Sequence, residues 1–393
     1  MSFPVGIDAI RFYTSHYYLD LKTLAEARGV DVEKFYLGLG QHKMAVVAPD
    51  EDVVTMAADA GLQVLASVPD INDIEMLMFA TESSIDQSKA AGLFVHQLLG
   101  LPARCRVVEL KQACYSATAG LQLAFHFLKC HPDKKVLLIA SDIARYGLQS
   151  VGESSQGGGA VAMILSANPR ILAIEPESGI HSEDVMDFWR PNYREEALVD
   201  GKYSCELYLK LLQKTWDQYH ARSGRQFSDH QLFCYHVPVP RLVEKAHHNL
   251  AKWAEVPSAD KKRLEAMIHA GLIYPRVVGN CYSAALYLSI LSTLENIPED
   301  LGGTRLGLYS YGSGCTAEFF SAVVQPGYQQ QMHSVAHQAL LAQREALTYA
   351  QYERFYQFAT PTDGSAISIE PVQKGRFRLA EIRQHKRIYA SVG

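Results

Sequence analysis

Two stretches of the chain, YSATAGLQLAFHFLK at 115–129 and NCYSAALYLSILSTL at 280–294, are apolar on almost every face of a helix, and the tetrapeptide Cys-Tyr-Ser-Ala heads both. A helix without a polar face has to be covered on several sides, so each needs a layer above and below it. The flanks repeat as well. Before the first helix, IEMLMFA (Ile74 to Ala80) reads as a buried strand ending at Thr81, Glu82 and Ser83, and CRVVEL (Cys105 to Leu110) as another. After it, KVLLIAS (Lys135 to Ser141) leads through Gly157 to Gly159 into AVAMILS (Ala160 to Ser166). Around the second helix, QLFCY (Gln231 to Tyr235) ends at His236, and TRLGLYS (Thr304 to Ser310) leads through a YGSG turn into CTAEFFSAV (Cys315 to Val323). The order strand, polar residue, buried helix, strand, glycine turn, strand occurs twice, which predicts an internal duplication.

Continuous apolar strands such as VLLIA and AVAMIL are those of parallel-rich sheets covered on both faces. Two such halves, 1–166 with the first helix and 167–393 with the second, predict an α/β sandwich of central helices between two sheets with further helices outside. Tyr203 to Arg222 and Ala259 to Ala270 read as outer, surface helices. Residues 167 to 203, with Pro169, Pro176 and Pro191, read as a connection carrying functional loops. The segment from about Gly327 reads as helices and a PTDG turn (Pro361 to Gly364), without chemistry.

The chain has 393 residues, is 48% hydrophobic and carries a net charge of -5, enough for a large core and the wrong sign for a nucleic-acid groove. Its beginning, MSFPVGIDAIRFY, has no secretory signal pattern, and no run approaches a membrane span, so a cytoplasmic protein without membrane partners is expected. Seven cysteines without CxxC spacing argue against a disulfide framework and a structural zinc site.

Cys114 is the first candidate for chemistry. At the first turn of a buried helix the macrodipole favours thiolate, and free backbone N–H groups can face a carbonyl oxygen. A free cysteine is also commonly a small buried hydrophobe. Glu82 can equally be a loop or capping carboxylate, His236 a buried ring, and Asn280 the cap of the helix it precedes. In a duplicated α/β fold these strand ends gather at one edge, which would bring Glu82, His236, Asn280 and the YGSG turn to Cys114. Cysteine with histidine and asparagine suits acyl transfer. An added carboxylate suits proton abstraction beside a thioester carbonyl, hence carbon–carbon bond formation, provided burial raises its basicity.

The segments GIDAIRFY, GLGQ (Gly38 to Gln41), ATESS, KQACYSATAG, ASDIARYG, EDVMDFWRP, FCYHVP, VGNCYSAALY and SYGSG span nearly the whole chain, which resembles the hydroxymethylglutaryl-CoA synthases of the bacterial mevalonate type. The resemblance implies a thiolase-like five-layered αβαβα fold and a homodimer acting on acetyl-CoA and acetoacetyl-CoA, with no metal and no cofactor beyond these substrates. It implies that Cys114 accepts acetyl, Glu82 deprotonates the acetyl methyl group and returns the proton to the new alkoxide, and His236 polarises the acceptor ketone. It further implies that Asp142, Tyr146, Asp187, Asn280 and Ser313 line the substrate site. Arg241 and Lys245 stand where the family usually has two lysines on the CoA side, and Arg241 departs from that pattern. Three rivals share parts of this reading: a polyketide β-branching enzyme using a carrier-bound ketone, a thiolase with Cys281 as a second working cysteine, and an inactive scaffold. Gly157 to Gly159 leads into a strand and lacks the geometry of a nucleotide phosphate loop.

Overall fold

A computed structural model describes residues 3–256 and 261–392. Nine strands form the central sheet: β1 (Val5–Tyr13), β2 (Ile74–Ala80), β3 (Arg106–Leu110), β4 (Lys135–Ala144), β5 (Gly157–Ala167), β6 (Leu172–Ser182), β7 (Leu232–Tyr235), β8 (Arg305–Gly312) and β9 (Thr316–Val324). The helices that matter for the site are α1 (Val53–Leu65), α2 (Ser116–Cys130), α3 (Gly201–Ser223), α4 (Pro240–Trp253) and α5 (Ala285–Asn296). Across the sheet the order is β7-β8-β9-β6-β1-β5-β4-β2-β3. Read outward from the middle, the first half runs β1-β5-β4-β2-β3 and the second β6-β9-β8-β7, the same sequence of positions without the outermost strand. The senses agree too: β4 is parallel to β2 and antiparallel to β5, as β8 is parallel to β7 and antiparallel to β9. The duplication is therefore present in the topology.

Alternation along the strands builds the layers, because successive side chains point to opposite faces. Val136, Leu138 and Ala140 of β4 join a core cluster with Leu121 and Phe125 of α2, Leu288 and Leu291 of α5, and Leu306 and Leu308 of β8. Leu137 and Ile139, between them in sequence, face α1 in a second cluster with Val54, Ala57 and Val64. On the other half, Tyr309 and Phe319 point away from α5 into a third cluster with Leu211 and Trp216 of α3 and Val243 and Leu250 of α4. Three cores between five layers result: α1, half-sheet, α2 with α5, half-sheet, α3 with α4. Each fully buried Leu, Ile or Phe contributes roughly 1.5–3 kcal/mol, so these interfaces dominate the stability.

The two expected sheets are joined at their edges. β1 and β6 pair antiparallel through Gly6 opposite Ala173 and Ile7 opposite Leu172. A Cβ on Gly6 would lie 1.9 Å from the Leu172 carbonyl oxygen, so the seam closes only on glycine.

Several local expectations change. Gly157 to Gly159 is no loop but the start of β5, where a Cβ on Gly157 would come within 2.6 Å of the Asn280 carbonyl oxygen. The first part of the expected connection is β6 and its end is the start of α3, leaving 183–200 as the loop region. Beyond the expected C-terminal helices lies a hairpin, Phe377–Arg383 with Lys386–Ser391, tied to the start of α1: Asp50 accepts from Arg378 at 3.2 Å, and Asp52 from Tyr389 at 2.7 Å. The outer helix expected from Ala259 runs Lys261–His269; residues 259 and 260 lie outside the described residues. α2 is less covered than its sequence demands, since Leu123 is 54% exposed.

Replacing Gly6 by valine should force the seam apart and cost about 2 kcal/mol or more, read as a clear fall in the thermal unfolding midpoint. An unchanged midpoint would show that β1 and β6 do not need this contact.

Candidate active site

At the end of β2 the chain turns through Thr81, Glu82 and Ser83 around one buried carboxylate, Asp142 of β4. Asp142 Oδ1 accepts from Thr81 Oγ1 at 2.7 Å, Glu82 N at 2.9 Å, Ser83 N at 2.9 Å and Ser83 Oγ at 2.5 Å. Its Oδ2 accepts from the backbone N of Ser283 at 3.0 Å and from the Ser283 hydroxyl. Asp142 thus holds the Glu82 loop of one half against the turn before α5 of the other. Both of its oxygens are engaged within the protein, so its place in the site is to position Glu82 rather than to touch a substrate.

The turn that carries Cys114 starts with Ala113 at φ 43°, a left-handed conformation that costs a non-glycine residue of order 1–3 kcal/mol. Cys114 follows, then Tyr115 as N-cap and Ser116 as the first residue of α2. The second half repeats this turn two residues out of step with its letters. Tyr282 also has φ 43°, and Ala284 N donates to the Cys281 carbonyl at 3.0 Å as Tyr115 N does to that of Gln112 at 3.1 Å. Ala113 therefore corresponds to Tyr282 and Cys114 to Ser283, so the repeated tetrapeptide is not the structural repeat. Ser283 binds Asp142, and Cys281 is a buried thiol that burial holds far above its ordinary pKa.

Cys114 Sγ donates to Glu82 Oε2 at 3.0 Å. The thiol is not the thiolate expected from a helix dipole. Burial, the Glu82 charge and the hydrogen bond to it hold Cys114 well above its usual pKa. Burial, followed by the Asp142 charge, pushes Glu82 up to about 8, against the Cys114 hydrogen bond and the charge of Arg190. A carboxyl so placed is basic enough to take a proton from a thiol or from an acidic carbon near neutral pH.

A strap from the second half closes over this pair. Asp187 is buried and accepts from Tyr311 OH at 2.5 Å, Ser204 Oγ at 2.9 Å and Gly314 N at 2.9 Å. The next residue, Phe188, sets its ring edge-on to Tyr146 and Tyr282, 6.1 and 5.7 Å between centroids, in a cluster that includes Cys114. Arg190 then donates to the Glu82 carbonyl oxygen.

The YGSG turn packs on the thiol's turn: a Cβ on Gly312 would meet the Gln112 carbonyl oxygen at 2.5 Å, and Gln112 Nε2 donates to the Ser313 carbonyl at 3.3 Å. His236 follows Tyr235, which pairs with Tyr309 of β8, so it sits at the same end of the sheet as that turn. Burial pushes its pKa down to about 3, leaving a neutral imidazole whose Nδ1 has no hydrogen-bond partner. The described contacts do not bring His236 against Cys114. Asn280 caps the turn after it, its Oδ1 accepting from Tyr282 N at 2.9 Å. Arg241 and Lys245 stand on α4. Arg241 is exposed but spends its guanidinium on the Leu37 carbonyl and on Glu244, while Lys245 is exposed. Phe188, Arg190 and Tyr282 were not singled out from the sequence, although DFWRP and the second Cys-Tyr-Ser-Ala contain them. Among the described residues no cluster of His, Cys, Asp or Glu could hold a metal, and no helix is long and apolar enough to cross a membrane.

A duplicated five-layered sandwich with a cysteine turn, a basic carboxylate and a neutral histidine at one sheet end defines a condensing acyltransferase of the thiolase type. The chain belongs to the hydroxymethylglutaryl-coenzyme A synthase family, whose N-terminal model matches residues 2–170 and whose C-terminal model matches 172–253 and 251–391. It is 44% identical to the hydroxymethylglutaryl-CoA synthase of Enterococcus faecalis, over 91% of this chain and 93% of that one. A solved hydroxymethylglutaryl-CoA synthase complexed with CoA superposes with a TM-score of 0.95, at 40% identity over 99% of this chain and 100% of the other. The polyketide 3-hydroxy-3-methylglutaryl-ACP synthase of Bacillus subtilis is more distant, 34% identical over 90% of this chain and 88% of its own length.

Glu82 is protonated in the folded protein at pH values where an unfolded glutamate, with a pKa near 4.5, is ionised. That contribution to stability is complete below about 4.5 and is lost as pH rises through about 8. Glu82→Gln should therefore unfold a few degrees higher than the parent at neutral pH, the gap widening with pH. A gap that narrows with pH would mean Glu82 is ionised in the fold. Cys281→Ala should leave acetylation of the protein unchanged, as intact mass after acetyl-CoA treatment will show.

Proposed function

We propose that this site condenses acetyl-CoA with acetoacetyl-CoA and water into 3-hydroxy-3-methylglutaryl-CoA and CoA. The observation that carries the roles is the 3.0 Å contact between the Cys114 thiol and the raised carboxyl of Glu82. In the first step sulfur of Cys114 attacks the acetyl carbonyl, and the thiol's proton leaves with CoA. Glu82, in its ionised form, then takes a methyl proton from acetyl-Cys114. A thioester permits this, because sulfur donates poorly into its carbonyl. The enolate carbon bonds to the ketone carbon of acetoacetyl-CoA, and Glu82 returns its proton to the resulting alkoxide. Water finally cleaves the bond to Cys114, releasing a carboxylate and restoring the thiol.

His236 serves the middle step. With its pKa pushed down to about 3 it stays neutral, so it polarises the ketone as a hydrogen-bond donor and not as a cation. Tyr146, Asn280 and Ser313 line the acyl end, Asp142 and Asp187 hold its walls, and Arg241 with Lys245 face the CoA phosphates. Arg241 has to share its guanidinium with Leu37 and Glu244 to do so, which makes Lys245 the stronger contact of the two. No metal or further cofactor takes part. A free CoA acceptor is favoured over a carrier-bound one by the identities of 44% and 34%.

The working unit is a cytoplasmic homodimer. The open edge of β3 and the half-exposed Leu123 on α2 support a partner copy on that side, where an unpaired strand and an apolar residue would otherwise face water. Light scattering on the eluted protein tests this, a monomer counting against it.

Glu82→Ala should still acetylate Cys114, since the thiol itself attacks the acetyl carbonyl and its proton leaves with CoA. It should lose condensation by at least about 10²-fold, the usual worth of a general base. Synthesis retained in that variant would overturn the assignment; Cys114→Ala should lose both steps.

A further inference from the structure

Glu82 adjoins an open cavity of about 1070 Å³, lined also by Ser83, Lys111, Arg145, Arg190 and Thr360. Of the three proposed catalytic residues only Glu82 borders it, and Arg190 stands at the same wall. Two constraints meet in Arg190. It is the third residue after Asp187, which is fixed by Tyr311, Ser204 and Gly314 of the second half. Its own guanidinium donates to the backbone carbonyl of Glu82 in the first half. Phe188, between the two anchors, packs on Tyr146 and Tyr282 beside Cys114.

We propose that Arg190 is a positioning residue for condensation: by binding the Glu82 carbonyl from the strap, it couples the strap's closure over the thiol to the aim of the base and to its ionised form. This rests on Glu82 being the base. The groups around that carboxyl make the need for a cation plain. Asp142 from β4 and Asp187 from the strap repel its charge; the Cys114 thiol donates to it, and Tyr146 and Tyr282 flank it. Arg190 brings a positive charge to it, which draws the Glu82 pKa down against burial. A lysine can supply the charge, but a single ammonium lacks the planar fork of the guanidinium.

The test uses the full-length protein with Arg190→Gln and Arg190→Lys, acetyl-CoA and acetoacetyl-CoA as probes. Three readouts are followed: acetylation of Cys114 by intact mass, KM for each substrate, and single-turnover condensation from about pH 6 to about pH 9. In Arg190→Gln the rising limb of the condensation profile should move up by roughly one unit, slowing the step about tenfold at neutral pH, while the rates converge at high pH. Acetylation and KM should stay near the parent's, and Arg190→Lys should recover most of the limb. A limb that stays in place in Arg190→Gln overturns the proposal, as does an equal loss of acetylation and condensation at every pH. Should Arg190→Gln fail to fold, Arg190→Met takes its place: the same displaced limb is expected, and a limb and rate identical to the parent's overturn the proposal. Glu82→Ala, run alongside, separates the two levels. If it still condenses, the reading of Glu82 fails; if it does not and the Arg190→Gln limb is unmoved, only the role of Arg190 fails.

Discussion

The site depends on one buried carboxylate that both halves of the fold share. Asp142 collects the backbone and hydroxyl donors of Thr81, Glu82 and Ser83 on one oxygen and those of Ser283 on the other. Hydrogen bonds to a charged acceptor are worth about 1.5–3 kcal/mol each, and an unmatched buried charge costs several. The Glu82 loop can therefore take only the path that serves Asp142, and the turn before α5 can sit only where Ser283 reaches it. Burial first, and then the same negative charge, lift the pKa of Glu82, so a residue that fixes the loop also adds to the basicity of its carboxyl.

Duplication explains why such a residue exists. Each half brings a left-handed turn ahead of a buried helix to the middle of the molecule, at Ala113 and at Tyr282. One turn presents a thiol outward to the site; its counterpart presents Ser283 inward to Asp142. The halves thus diverged into a reactive turn and a supporting one, and the strap from Asp187 to Arg190 closes the space between them.

Much of this was legible in the chain. Helices without a polar face, and strands such as VLLIA, leave few architectures other than stacked layers, and the repeated order of elements pointed to two halves. Glu82 and His236 stand out in the sequence because polar residues end apolar strands. The literal Cys-Tyr-Ser-Ala repeat pointed to the right pair of helices with the wrong register, since backbone conformation, not side-chain identity, sets the equivalence. The thiol's ionisation is not legible in the sequence for a related reason: the dipole of α2 is visible there, whereas burial and the proximity of Glu82 arise only on folding. Phe188 and Arg190 lie in a segment with few periodic apolar residues, held by Asp187 through partners more than a hundred positions away. The seam at Gly6 and the hairpin on α1 are likewise tertiary facts.

Glu82 rests protonated beside a thiol and ionises only as pH approaches 8. Infrared difference spectroscopy on protein with ¹³C-labelled glutamate carboxyls, parent minus Glu82→Gln, measures this directly. A protonated carboxyl band is expected at neutral pH, giving way to a carboxylate band around pH 8. A carboxylate band already complete near pH 6 would contradict it.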